Sequence, residues 1–147
     1  MKRILLCMMA LLLITGIASA QRGLNCYPVF RGKVVPAKQM VVTEVRGERM
    51  ATYKLDYYHS VQFHVDEATA MKVAGFILAD ADAAESAETE MTGKLLTYAL
   101  IQPTPYARVR RYLCYQARMV DSDWLITILY LEGSATLEDL RSMFENQ

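Results

Sequence analysis

Hydrophobic and polar positions alternate along residues 51–65 with few exceptions. Aliphatic and aromatic residues hold most odd positions from Ala51 to Val65, and polar side chains hold most even positions. A period of two predicts a β-strand with one buried face. Because this run is much longer than the typical strand of about 5–6 residues, we expect a break near residues 56–59. The break predicts two strands, and the buried face can change there.

The segment before this run has two parts. Residues 21–37 contain two glycines and two prolines, which predicts an irregular and poorly ordered lead-in with one short strand at Val29–Phe30. Residues 40–45 are rich in β-branched side chains and predict a strand. Gly47 follows it, so we expect a turn and a hairpin into the alternating run.

A helix is predicted after the alternating run. Asp66 is suited to cap its N-terminus, and apolar residues then recur at spacings of three and four from Ala70 to Ala81, so we expect the helix over about residues 67–84. The apolar stripe is lost over residues 83–90, which predicts a frayed helix end or a solvated loop. Its acidic residues could attract calcium, but they lack the glycine and ligand spacing of an EF-hand loop.

The remaining chain predicts a meander and a final helix. Residues 94–102 fit a strand better than a helix, since Gly93 and Pro103 bound a short run. Residues 108–120 and 124–131 supply two more strands. Thr136 and Asp139 resemble a capping box before a helix whose apolar face carries Leu137, Leu140 and Phe144.

These elements predict the α+β class. We expect an antiparallel sheet of about five to six strands, with one main helix and a short C-terminal helix packed on one face.

The first twenty residues have the pattern of a secretory signal peptide. Lys2 and Arg3 precede an apolar run from Ile4 to Ala18, and the sequence Ala18-Ser19-Ala20 precedes Gln21. The run is shorter than the ~20 apolar residues of a membrane-spanning helix. We therefore predict cleavage after Ala20 and one exported domain over residues 21–147. Its expected location is periplasmic or extracellular, with no stable membrane insertion after cleavage.

The charge of the mature chain bears on its partners, and its cysteines bear on a possible disulfide. Loss of Lys2 and Arg3 would reduce the 16 basic residues to 14 against 16 acidic ones, so nucleic acid is not an expected partner. Cys26 and Cys114 would remain, and an exported compartment permits a disulfide between them. The alternative is two unrelated buried thiols.

Candidate catalytic chemistry is sparse. His59 and His64 would point to opposite faces of one strand, so no metal site is predicted. Asp56, His59 and Ser60 supply the residue types of a hydrolase triad without the strained turn that exposes a nucleophilic serine. Cys114 could serve as a thiol nucleophile if neighbouring arginines lowered its pKa. No cofactor is predicted.

Basic and aromatic residues concentrate on the strand at residues 108–120. Arginine and tyrosine are enriched at protein interfaces, so this strand could contact an acidic protein partner, a glycan or a second copy. The alternative is that the basic residues protect an exposed sheet edge. The candidate binding residues are Arg108, Arg110, Tyr112 and Arg118.

Four short segments resemble a known group of proteins. They are Ala79-Asp80-Ala81-Asp82, Tyr112-Leu113-Cys114-Tyr115, Tyr130-Leu131-Glu132-Gly133 and Thr136-Leu137-Glu138-Asp139-Leu140. The chain resembles small exported proteins of unknown function from Gram-negative bacteria, over roughly residues 56–144. The resemblance implies a single exported α+β domain and assigns no activity or binding residues.

The leading functional hypothesis is therefore a non-catalytic exported module that contacts another protein or itself. One alternative is a small hydrolase or thiol enzyme that uses Cys114 or His59 in a pocket between sheet and helix. Another is a carrier of a small apolar ligand. A carrier would need an unfilled cavity lined by residues such as Tyr57, Phe63, Leu78 and Trp124.

Overall fold

The fold is built on a six-stranded antiparallel sheet with the strand order β1-β2-β6-β5-β4-β3. The computed structural model describes residues 23–105 and 108–145, so the predicted signal peptide lies outside the described residues. The strands are β1 (Val41–Arg46), β2 (Leu55–Val65), β3 (Ser86–Thr92), β4 (Leu95–Gln102), β5 (Arg110–Val120) and β6 (Asp123–Gly133). The α-helices are α1 (Tyr27–Phe30), α2 (Glu67–Asp82) and α3 (Leu137–Glu145), and 3-10 turns cover Ala37–Gln39 and Glu48–Tyr53.

The predicted α+β class is confirmed, as are the strand at residues 94–102 and the final meander. Residues 83–90 were predicted as a frayed helix end or loop, but residues 86–90 instead belong to the edge strand β3. Their side chains are almost all exposed, so the segment has no buried side of its own to produce an alternating pattern. Backbone pairing with β4 makes it a strand.

The long alternating run forms one strand and not two. Its first residues enter the 3-10 turn Glu48–Tyr53, and β2 then continues unbroken to Val65. The expected irregularity occurs at the start of β2, where the register to β6 shifts between Leu55 and Tyr57. Gly133 of β6 permits this geometry, because a Cβ atom there would lie 2.5 Å from the carbonyl oxygen of Lys54.

Both faces of the sheet are covered. On the first, here called the helix face, α2 packs on residues such as Phe63, Leu113 and Tyr130 in the larger hydrophobic cluster. On the opposite face, here called the second face, α3 packs through Leu140 on a smaller cluster. That smaller cluster contains Met50, Leu55, Tyr112, Leu131, Ala135 and Leu140.

The helices therefore lie on opposite faces, whereas the sequence pattern predicted both on one face. The reason lies in β5 and β6, where adjacent residues are buried on alternate sides. Tyr130 belongs to the helix-face cluster and Leu131 to the second-face cluster. A strand that is apolar on both sides needs a cover on each side.

Residues 27–30 of the lead-in form a short helix and not a strand. Val29 and Phe30 lie in α1 and are buried in the helix-face cluster. Asp80 of α2 holds this segment in place. Its carboxylate accepts hydrogen bonds from the backbone N–H of Asn25 at 2.6 Å and of Cys26 at 3.0 Å, and from the Asn25 side-chain amide at 3.1 Å.

The predicted helix caps are present. The Asp66 carboxylate accepts a hydrogen bond from the backbone N–H of Thr69 at 2.9 Å. At α3, the N–H of Thr136 donates to the Asp139 carboxylate at 2.8 Å and the N–H of Asp139 donates to the Thr136 hydroxyl at 3.1 Å. Aspartate therefore completes the capping box in place of the usual glutamate. Within residues 23–105 and 108–145, no helix has the length and apolar composition needed to cross a membrane.

The anchoring of the lead-in generates the first prediction. Replacing Asp80 with alanine leaves two backbone N–H groups without their carboxylate acceptor, and Asp80 is only 4% exposed. We expect the free energy of unfolding to fall by about 3 kcal/mol in urea denaturation. Asp82→Ala is the matched control, because Asp82 is exposed on the same helix and should change stability by about 0.5 kcal/mol or less. Equal losses in the two variants would contradict the anchoring role.

Candidate functional site

An apolar cleft of about 650 Å³ lies on the second face of the sheet. Its floor comes from β1, β2 and β6, one wall comes from the 3-10 turn Glu48–Tyr53, and α3 forms the other wall. Seven lining residues are apolar, four carry a hydroxyl group, and none carries a formal charge at neutral pH. The lining residues are Thr43, Val45, Met50, Tyr53, Leu55, Tyr58, Leu129, Leu131, Leu140, Ser142 and Met143.

The helix that walls the cleft is held to the sheet by polar contacts as well as by Leu140. The Tyr112 hydroxyl donates to the carbonyl of Ala135, just before α3, at 2.6 Å. Lys54 and Asp139 form an ion pair at 3.4 Å, and Arg141 forms another with Glu88 of β3. These contacts hold the segment before α3 and two residues of the helix itself. They therefore fix the position of α3 as one wall of the cleft.

The sequence-predicted binding residues are not gathered into one surface. Arg108, Arg110 and Arg118 are exposed, but Arg110 and Arg118 lie near opposite ends of β5. The Arg110 guanidinium donates to the carbonyl of Ser134 at 3.3 Å. Tyr112 is fully buried on the second face, with its hydroxyl engaged by Ala135. Tyr112 therefore supports α3 and presents no side chain to a partner.

Apolar side chains pack together between the sheet and the main helix. Tyr57 and Phe63 are buried in the helix-face cluster, and Leu78 and Trp124 pack against it. The cavity proposed there from the sequence does not coincide with the cleft, which lies on the other face. The missed lining residues include Met50 and Leu129, which belong to different elements. Two features of the sequence could have indicated the cleft. Strand β6 is apolar on both of its sides, and residues 137–144 have the pattern of an amphipathic helix that could cover the second of them.

The two cysteines are free and lie on opposite faces of the sheet, so the disulfide considered from the sequence is not formed. Cys26 belongs to the helix-face cluster. Cys114 alternates with Leu113 and Tyr115 of that cluster and therefore faces the other side. Burial raises the pKa of the Cys114 thiol to about 12, and burial together with the nearby Asp80 carboxylate raises the pKa of Cys26. Neither environment favours a thiolate.

His59 lies on the helix face among aromatic rings. Its ring centroid is 4.9 Å from that of Phe30 and 6.1 Å from that of Tyr57. Burial lowers the pKa of His59 below its usual 6.5, while Glu44 opposes and Arg46 reinforces this change. Ser60 follows His59 directly in β2 and points to the second face, so the two side chains do not form the catalytic pair considered from the sequence.

The other polar groups near His59 are engaged with one another. The Tyr57 hydroxyl donates to the Glu44 carboxylate at 2.9 Å, and the Arg46 guanidinium lies 4.1 Å from the centre of the Tyr57 ring. The Tyr130 hydroxyl donates to Glu132 at 2.6 Å, and burial with this carboxylate raises the pKa of Tyr130. Across the described part of the chain, no three His, Cys, Asp or Glu side chains form a group able to hold a metal ion.

The fold and the cleft define a small α+β domain with a two-sided core and an apolar depression beside its C-terminal helix. The sequence matches a family described as "Family of unknown function (DUF6108)" over residues 13–144. The chain belongs to this family, which confirms membership of a group of unknown function. Neither the curated proteins nor the solved structures include a match to the chain.

The environment of the Cys114 thiol generates the second prediction. We expect Cys114 in the folded protein to react with iodoacetamide at mildly alkaline pH roughly a hundredfold more slowly than in urea, because its thiol stays protonated. Alkylation followed by mass spectrometry measures this, and the Cys26→Ala variant isolates the signal of Cys114. Rapid modification of Cys114 in the folded state would contradict its assigned environment.

His59 generates the third prediction, which concerns pH. Because its pKa is lower in the folded chain than the unfolded value of 6.5, the unfolded chain binds the proton more readily. This contribution to stability is present above pH 6.5 and is lost as the pH falls below it. We expect His59→Gln to reduce the fall in unfolding free energy over that window, measured by urea denaturation at several pH values.

His64→Gln serves as the control, since His64 is exposed on the same strand. If both variants follow the wild-type pH dependence, the burial of His59 is not linked to stability in the way stated.

Proposed function

We propose that the protein is an exported, non-catalytic binding module and that its site is the apolar cleft beside α3. The observation that carries the proposal is the cleft itself, which combines a volume of about 650 Å³ with an uncharged lining. Small-molecule sites are concave, mostly apolar and about 300–1,000 Å³ in size. Export rests on the signal-peptide pattern of the first twenty residues.

The lining selects the chemistry of the ligand. Burying a charged group without a partner is costly, and the lining residues offer no opposite charge. The hydroxyl-bearing residues Thr43, Tyr53 and Tyr58 suit a ligand with a hydroxyl, carbonyl or ester group. The proposed ligand is therefore a small neutral molecule with an apolar body and few polar atoms.

The two residues considered for catalysis do not favour an enzyme. Cys114 lies outside the cleft, and the raised pKa of its thiol opposes nucleophilic attack. His59 lies on the opposite face of the sheet from the cleft, among aromatic rings. The polar groups closest to His59 also make structural contacts with one another. We therefore favour a protein that binds its ligand without converting it over an enzyme.

The cleft generates the fourth prediction, tested with the neutral fluorescent probe N-phenyl-1-naphthylamine. The full chain is expressed with its N-terminal segment, purified as the cell processes it, and checked by intact mass. We expect the probe to bind with enhanced fluorescence. Leu129→Trp places a larger ring at the cleft floor and should weaken probe binding by about tenfold, which corresponds to about 1.4 kcal/mol.

Leu125→Trp is the matched control. Leu125 lies on the same strand and the same face, is similarly half-buried, and does not line the cleft. Its substitution should leave probe binding within about twofold, which is less than 0.5 kcal/mol. The proposal fails if the wild-type protein does not bind the probe, or if both tryptophan variants lose binding equally.

A further inference from the structure

Strand β1 is an open edge of the sheet with exposed valines. It pairs only with β2 among the described residues, so its outer edge has no strand partner there. The side chains of Val41 and Val42 are 66% and 51% exposed. Exposed β-branched residues on an unpaired edge are a template for pairing with another strand.

The opposite edge of the sheet is protected against such pairing. Strand β3 carries the exposed acidic residues Glu88 and Glu90, and its register shifts between Glu90 and Met91. Charges and irregular register are the usual devices that keep an edge strand from pairing. The pairing of β1 with β2 is regular from Val41 to Arg46, and its two charged residues, Glu44 and Arg46, lie toward one end of the strand. The two edges therefore differ, and β1 is the one suited to pairing.

We propose that β1 pairs antiparallel with β1 of a second copy of this chain, joining two sheets across a twofold axis. In a symmetric pair, the same surface of each copy must complement itself. Residues directly opposite each other must also point to the same face of the joined sheet. This condition is met only when the twofold axis passes between a residue of one copy and the same residue of the other. This inference does not depend on whether the cleft binds a ligand.

Charge selects the register. Only axes at Thr43 or at Glu44 allow five strand residues of each copy to pair, given the bounds of β1. An axis at Glu44 would oppose two glutamates, which is unfavourable. An axis at Thr43 opposes Val41 to Val45 and Val42 to Glu44, with no like charges facing each other. The Thr43 register is therefore the one proposed.

The pairing has a consequence for the cleft. Thr43 and Val45 line it on the β1 side. In the proposed register, Val41 of the partner subunit lies opposite Val45, on the same face of the joined sheet. The partner thus extends the apolar floor of the cleft beyond the edge of one subunit.

Sedimentation velocity over a range of protein concentrations tests the inference, using the full chain as the cell processes it. We expect a concentration-dependent dimer, because the five residues that each copy pairs in the Thr43 register make a small interface. Thr43→Lys should weaken dimerisation by about fivefold, since two lysines would oppose each other at the axis. Thr43→Glu should do the same, and an equal mixture of the two variants should restore dimers. Thr89→Lys is the control, because it adds the same charge to the exposed edge strand β3.

A further substitution tests the register. Val42→Lys should strengthen the dimer in the Thr43 register, where residue 42 faces Glu44 of the partner subunit. It should weaken a dimer in the Glu44 register, where residue 42 faces Arg46 of the partner subunit. The proposal is overturned if the protein is monomeric at every concentration, if Thr43→Lys leaves association unchanged, if the mixture does not restore dimers, or if Val42→Lys weakens association.

Discussion

The pairing of β6 with β2 on one side and β5 on the other is the constraint on which the rest of the molecule depends. Strand β6 pairs with both neighbours along nearly its whole length. Its residues are buried alternately on the two faces, with Ile126, Ile128 and Tyr130 on the helix face and Leu131 on the second face. A sheet that is apolar on both sides at its centre requires a cover on each side. The placements of α2, α3 and the cleft all follow from that requirement.

Buried polar groups serve this architecture. Asp80 joins the lead-in to α2, and Tyr112 joins β5 to the entry of α3. The Arg111 guanidinium, on a residue only 7% exposed, donates through Nε and Nη2 to the carbonyl of Thr104 at 3.2 and 2.9 Å. Polar atoms taken out of water need partners, and these side chains satisfy backbone groups in segments that would otherwise be loosely attached. Residue types often associated with catalysis or recognition therefore act here as structural connections.

The sequence predicted most of the elements correctly, because each has a strong local signal. The period of two in β2, the spacing of three and four in α2 and the capping residues Asp66 and Thr136 depend on neighbours along the chain. The errors occur where that signal is weak or misleading. Strand β3 is exposed on both faces, so it has no periodicity, and Val29 and Phe30 favour a strand by composition but form a helical turn in the core. In both segments, contacts with distant parts of the chain overrode local preference.

The sequence by itself determined the class of the domain, the order of its main elements and the more buried side of β2, since these properties follow from periodicity and capping. Only the tertiary structure decided which face each helix covers. It also separated Cys26 from Cys114, buried Tyr112 and brought Met50, Tyr58 and Leu129 together around one cleft. Met50, Tyr58 and Leu129 belong to three different elements, and no pattern in the sequence relates them. Their meeting depends on the strand order and on the register shift at Leu55, which are set by packing across the whole sheet.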